Sequence, residues 1–229
     1  MRVETARALW LWLAIGLSPL LAVADEASEP NCRDAVVAAL QKRYESARDF
    51  RADIVQTTRS VTLGSEASQQ MTTKGTVVFA KPGRMRWSYD EPEPSLVVSD
   101  GETLWIYDPA FHEAQKLPAT EGYLSGAAIQ FLMGEGKLER DFEISAVRCE
   151  KTAAELRFVP RNPSSYEKLE VRVDPQTGDL LETTVFFVLG NVTEVAFSNI
   201  ELDSDPAPSV FRFDPPAGVR VIELDESTR

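Results

Sequence analysis

The residues with catalytic or ligating potential are few, and their spacing decides what they can do. His112 is the single histidine, four positions after Asp108 in a turn-rich stretch, so no second imidazole exists to share a metal or relay a proton. Cys32 and Cys149 are too far apart for a metal knuckle, and no Gly-x-Ser-x-Gly turn presents a nucleophile. Gly134-Glu135-Gly136-Lys137 resembles part of a phosphate loop, but the preceding glycine is at the wrong distance and Leu138 stands where Ser or Thr would hold magnesium. Carboxylates are plentiful, yet no spacing sets two of them across a cleft as a glycosidase requires. The sequence therefore predicts no enzyme, no cofactor and no metal.

Recognition by apolar surface remains. Residues 81–109, KPGRMRWSYDEPEPSLVVSDGETLWIYDP, concentrate large apolar side chains between turns. Met85, Trp87 and Tyr89 share one face of a period-two strand, with Arg84, Arg86 and Ser88 on the other. Asp100-Gly101 marks a hairpin before Thr103–Tyr107, since Gly accepts the positive φ such turns need. Leu96, Val98, Trp105 and Tyr107 join Trp87 as candidate lining of an apolar cavity; ordinary core packing is the alternative for these residues. In residues 118–136, Leu124, Phe131 and Leu132 fall at helical spacing among Gly122, Gly126, Gly134 and Gly136, a composition suited to a movable flap.

The elements that must carry these side chains are mostly strands. Asn31 can cap a helix from Arg33 to about Ala47, with Val36, Ala39, Leu40 and Tyr44 towards one side. The period then changes to two, predicting strands near 50–62, 70–80, 84–89, 95–99, 102–108 and 113–117, and after the 118–136 interruption near 141–148, 154–160, 166–173, 180–188 and 192–200. Tight turns such as Pro82-Gly83, Asp174 to Gly178 and Gly190-Asn191 imply antiparallel neighbours, because parallel ones need long crossovers. Asp203 to Ser209 reads as an exposed connector before Phe211 and Phe213. About eleven strands in one sheet must curl, and one face must be covered.

At the amino terminus Arg2 and Arg7 precede an apolar run from Ala8 to Val23, and Ala22-Val23-Ala24 is a small-x-small cleavage site. Residues 1–24 are expected to be a signal peptide, with a retained anchor as the alternative, and residues 25–229 a single domain. A lipoprotein signal would need a cysteine at the cleavage point, whereas the first is Cys32. The full chain carries a formal charge of −12, and removing residues 1–24 takes away Arg2, Arg7 and Glu4 to leave −13. That balance argues against nucleic acid as a partner. Export would bring Cys32 and Cys149 into an oxidising compartment, where they form either a disulfide or two unrelated buried thiols.

The 81–109 block closely resembles the outer-membrane lipoprotein carrier (LolA) family, whose members read basic-Pro-x-x-hydrophobic-x-Trp, then a Pro-containing turn, then VSDG-x-TLW-hydrophobic-Y-x-P. The resemblance implies an unclosed β-barrel capped by the N-terminal helix and a short helical lid over about 118–136. It implies a monomeric periplasmic carrier of triacylated lipoproteins, loaded by an inner-membrane ABC-type release complex and unloaded at an outer-membrane receptor or the outer membrane. The family's residue before the first proline is typically Arg and is thought to latch the lid; here Lys81 stands there, keeping the charge without the planar fork. Met85 resembles a contact site for the inner-membrane partner, with simple packing as the alternative. A same-fold carrier or sensor for another lipid or glycolipid is the main competing function, and an envelope hydrolase a weaker one.

Overall fold

In a computed structural model of the chain, residues 31–61, 68–119 and 137–224 are described. Their principal elements are one long helix and twelve strands in a single open sheet. The Asn31 side chain accepts a hydrogen bond from the Asp34 N–H (3.1 Å), starting α1 at Cys32–Ser46. Val36, Val37, Leu40 and Tyr44 give α1 its buried stripe.

Two antiparallel meanders follow. The first comprises β1 (Asp49–Val61), β2 (Ser68–Ala80), β3 (Arg84–Glu91), β4 (Ser95–Asp100), β5 (Thr103–Asp108) and β6 (Glu113–Pro118). The second comprises β7 (Phe142–Cys149), β8 (Ala154–Pro160), β9 (Tyr166–Val173), β10 (Leu180–Phe187) and β11 (Val192–Leu202). They join where β1 pairs β11, and β12 (Arg220–Glu223) completes the order β12-β6-β5-β4-β3-β2-β1-β11-β10-β9-β8-β7. The curved, mainly β architecture is the one predicted. β12 is the addition: a four-residue strand pairing β6 in parallel, reached by a long excursion after β11. Too short to show a period, it escapes a reading based on alternation and tight turns.

The curl follows from the core. One apolar cluster joins Leu104 and Leu117 of one wing to Phe142 and Ile144 of the other, with Val36, Leu40 and Tyr44 of α1 between them. A flat sheet could not bring both wings onto one helix. Cys32 and Cys149 are disulfide-bonded, with Cα atoms 6.3 Å apart. The bridge ties α1 to β7, the terminal strand of the order. At the other end of α1, Arg43 pairs with Asp179 and the Leu180 N–H donates to the Tyr44 hydroxyl at 3.0 Å. Gly178 lets the β9–β10 turn reach the helix: its φ is +76°, and a Cβ there would sit 2.7 Å from the Ala39 carbonyl oxygen.

The other face of the first meander is covered by residues 203–213, here called the strap. Asp49, 6 % exposed, anchors it by accepting from the Ser204 N–H (2.7 Å), the Ser204 hydroxyl (2.8 Å) and the Asp205 N–H (3.1 Å). A 3-10 turn, Pro208–Phe211, then buries Phe211 against Val78 and Ala80.

Candidate functional site

Strand register sorts the candidate residues onto two faces, because directly paired residues point the same way. Trp87 pairs Val97, and Val97 pairs Ile106, which places all three on the α1 side, the inner face. Arg86 pairs Val98, Val98 pairs Trp105, and Leu96 pairs Tyr107, which places these on the outer face. The expected grouping of Leu96, Val98, Trp105 and Tyr107 with Trp87 is therefore corrected. The Phe213 ring sits 5.5 Å from Trp105 and 5.0 Å from Tyr107, so the strap covers that face. Residue type suggests one stripe; pleat parity across the Pro92–Pro94 turn makes two.

The inner face is an aromatic row. From beneath α1 it runs Tyr44 to Phe50 (5.8 Å), Phe50 to Phe79 (6.0 Å), Phe79 to Trp87 (5.9 Å) and Trp87 to Tyr89 (6.2 Å). Met85 lies within this packing at 4 % exposure, so it is a core side chain in this conformation and not a surface one. Towards Tyr89 the packing thins: Trp87, Tyr89, Val97, Val185 and Phe187 are only partly buried.

Polar groups enter the face at the same end. The Tyr89 hydroxyl donates to Gln56 Oε1 at 2.9 Å, Gln56 Nε2 donates to the Thr58 hydroxyl at 3.4 Å, and the Thr58 and Thr193 hydroxyls are 3.4 Å apart. Burial pushes the Tyr89 phenol up to about 12, against the opposing effect of the Gln56 bond. Trp87 Nε1 and Thr73 Oγ1 are buried yet have no hydrogen-bond partner among the described residues. Sequence reasoning misses Gln56 and Thr73. The signal is present: on β1 the inward series Phe50, Ala52, Ile54 continues as Gln56 and Thr58, turning polar without changing face.

Lys81 sits in the β2–β3 turn beside the end of α1. Its ammonium donates to the carbonyls of Tyr44 and Glu45, each at 2.9 Å, filling acceptors that a helix C-terminus leaves open. Burial pushes its pKa down, while Glu45 and Asp203 act the other way. Its partners among the described residues are thus carbonyls of the capping helix. The expected lid, with Leu124, Phe131 and Leu132, falls almost wholly in residues 120–136, outside the described residues, as does the expected signal peptide. His112 lies in the exposed β5–β6 turn, its carbonyl accepting the Arg220 N–H at 2.8 Å to hold β12.

An inner face of this kind offers shelter to an apolar ligand, and known proteins point the same way. The family described as "Outer membrane lipoprotein carrier protein LolA" matches residues 45–214. An outer-membrane lipoprotein carrier protein of Dechloromonas aromatica (strain RCB) is 32% identical over 189 residues, covering 78% of this chain and 88% of the relative. One from Alkalilimnicola ehrlichii is 29% identical over 226 residues, covering 97% of each. Among solved structures, an uncharacterized conserved protein from Thermus thermophilus shares the fold at a TM-score of 0.50 and 11% identity, covering 83% of this chain and 98% of that one. With a sheet of the expected kind, a covered inner face and a family match across most of its length, the chain belongs to the outer-membrane lipoprotein carrier (LolA) family.

Proposed function

We propose that this protein is a periplasmic carrier that shelters the acyl chains of triacylated lipoproteins against the inner face. In this reading residues 1–24 direct export, an inner-membrane ABC-type complex loads the carrier, and an outer-membrane receptor or the outer membrane accepts the cargo. The carrying observation is the inner aromatic row, which continues past α1 into side chains that the described residues only partly cover. Family membership supplies the cargo class.

Magnitudes explain why a latch would matter. Burial is worth about 0.8 kcal/mol per CH₂, so three chains of roughly fifteen carbons would gain about 36 kcal/mol if fully sheltered. Non-covalent affinity saturates near roughly 20 kcal/mol, and a carrier must let go, so part of that gain has to be offset by displacing a cover that otherwise closes on itself. Lys81, with two bonds to the end of α1, is suited to hold such a cover.

The test is transfer. Lys81→Leu is expected to keep the parent's circular dichroism spectrum but to release bound lipoprotein to acceptor membranes several-fold more slowly. Release at the parental rate would remove the latch role. Native mass spectrometry of the protein isolated from the periplasm decides the cargo: a bound triacylated polypeptide is expected, and a small lipid or glycolipid in its place would redirect the reading to another cargo.

A further inference from the structure

The buried donors on the inner face have no role in a surface that only holds hydrocarbon. Trp87 Nε1 can donate and cannot accept, and Thr73 Oγ1 is buried on the same face, four residues along β2 from Val77, the residue opposite Trp87. Leaving such a group without an acceptor costs free energy, so a structure that keeps two of them on one face is complete only when something else supplies the acceptor. Neither atom is open to solvent, so bulk water does not fill that place.

Their surroundings select the acceptor's chemistry. Along β2 the inward residues Val77, Gly75 and Thr73 stand opposite Trp87, Tyr89 and Gln56 in turn, so Tyr89 lies between the two donors. Tyr89, Gln56, Thr58 and Thr193 are neutral and bonded to one another. With no cation in this set, a carboxylate or phosphate would lose its hydration without a counter-charge. A neutral carbonyl accepts from a hydroxyl or from an indole N–H at no such cost.

We propose that Trp87 and Thr73 each donate to a carbonyl and together make a two-point subsite for the ester or amide carbonyls that link acyl chains to their polar scaffold. The chains run from this subsite across the partly buried Val97, Val185 and Phe187. This rests on the carrier reading and adds to it: the face distinguishes acyl chains from alkyl chains of equal length, and it fixes which end of the chain lies towards Tyr89.

The test compares a diacylglycerol with the dialkyl ether of the same chain length, whose ether oxygens are poor acceptors. Each displaces a fluorescent fatty-acyl probe from the purified protein. The ester is expected to bind about tenfold more tightly, the worth of roughly one net hydrogen bond. Trp87→Phe and Thr73→Val should each shrink that ratio, and the double variant should bring it near unity. The indole N–H resonance of Trp87 in the parent, assigned with Trp105→Phe, should shift with the ester and stay in place with the ether, a readout that does not depend on the variants folding. Equal binding of ester and ether by the parent overturns the subsite and leaves the carrier reading standing. Failure of both probes to bind overturns the carrier reading itself. An ester preference that persists in the double variant, or an unmoved Trp87 resonance, overturns the assignment to these residues.

Discussion

The inner and outer faces of β3–β5 are both rich in aromatic side chains, yet they are finished differently. On the outer face the strap is in place: Phe211 is 2 % exposed, Phe213 lies on Trp105 and Tyr107, and the Arg84 guanidinium is 5.2 Å from the centre of the Phe211 ring. On the inner face the aromatic row runs into partly buried side chains and two buried polar atoms without partners among the described residues. Aromatic density alone therefore does not mark a binding surface. What sets the inner face apart is incomplete satisfaction, since a face that serves only to pack has its polar groups paired.

The sharpest way to break this comparison is to remove the outer cover. Phe211→Ala should cost about 3 to 5 kcal/mol of stability in denaturant titration, as for a buried aromatic truncated in a core, with acyl-probe affinity unchanged below the transition. A loss of affinity in the still-folded variant would mean that the two faces are not independent. Releasing the strap's tether is next: Asp49→Ala removes an acceptor of three bonds and should cost roughly 2 to 4 kcal/mol, again without altering probe binding.

Alkaline pH probes the inner face by itself. Burial raises the phenols of Tyr44 and Tyr89 to about 12, so the unfolded chain ionises first as pH rises. The stabilisation is complete below about pH 10 and is lost as pH climbs through 12, at about 1.4 kcal/mol per pH unit for each tyrosine. Tyr44→Phe and Tyr89→Phe should each flatten the slope measured by chemical denaturation between these limits; an unchanged slope in both would move the effect to other tyrosines. The smallest effect is expected from Trp105→Phe, which keeps an aromatic ring against Phe213 and should cost about 1 kcal/mol or less.

Much of this is legible in the sequence within single elements and little of it between them. The alternation of Met85, Trp87 and Tyr89 gives their common face correctly, and the Asn31 cap places the start of α1 to within a residue. Leu96 and Val98 are misplaced by residue type because a hairpin resets the parity of the pleat, and β4 is buried on both sides, so its own pattern does not say which face looks inward. That double burial arises from Phe211, more than a hundred residues later, and no local period carries such information. Lys81 is readable through the family motif as a cation in the β2–β3 turn. Its partners, Tyr44 and Glu45, are carbonyls of a helix end, and an unpaired backbone acceptor leaves no trace in residue type.

The fastening of α1 also sets a dimension. The helix is bonded covalently to β7 through its first residue and held at its last turn from the β9–β10 hairpin on one side and the β2–β3 turn on the other. Fifteen residues at 1.5 Å per residue make a rod of about 22 Å, and a helix does not stretch. It works as a strut that fixes the distance between β7 and the β2–β3 turn across the curve of the sheet. The opening of that curve is thus written in the number of residues from Cys32 to Ser46.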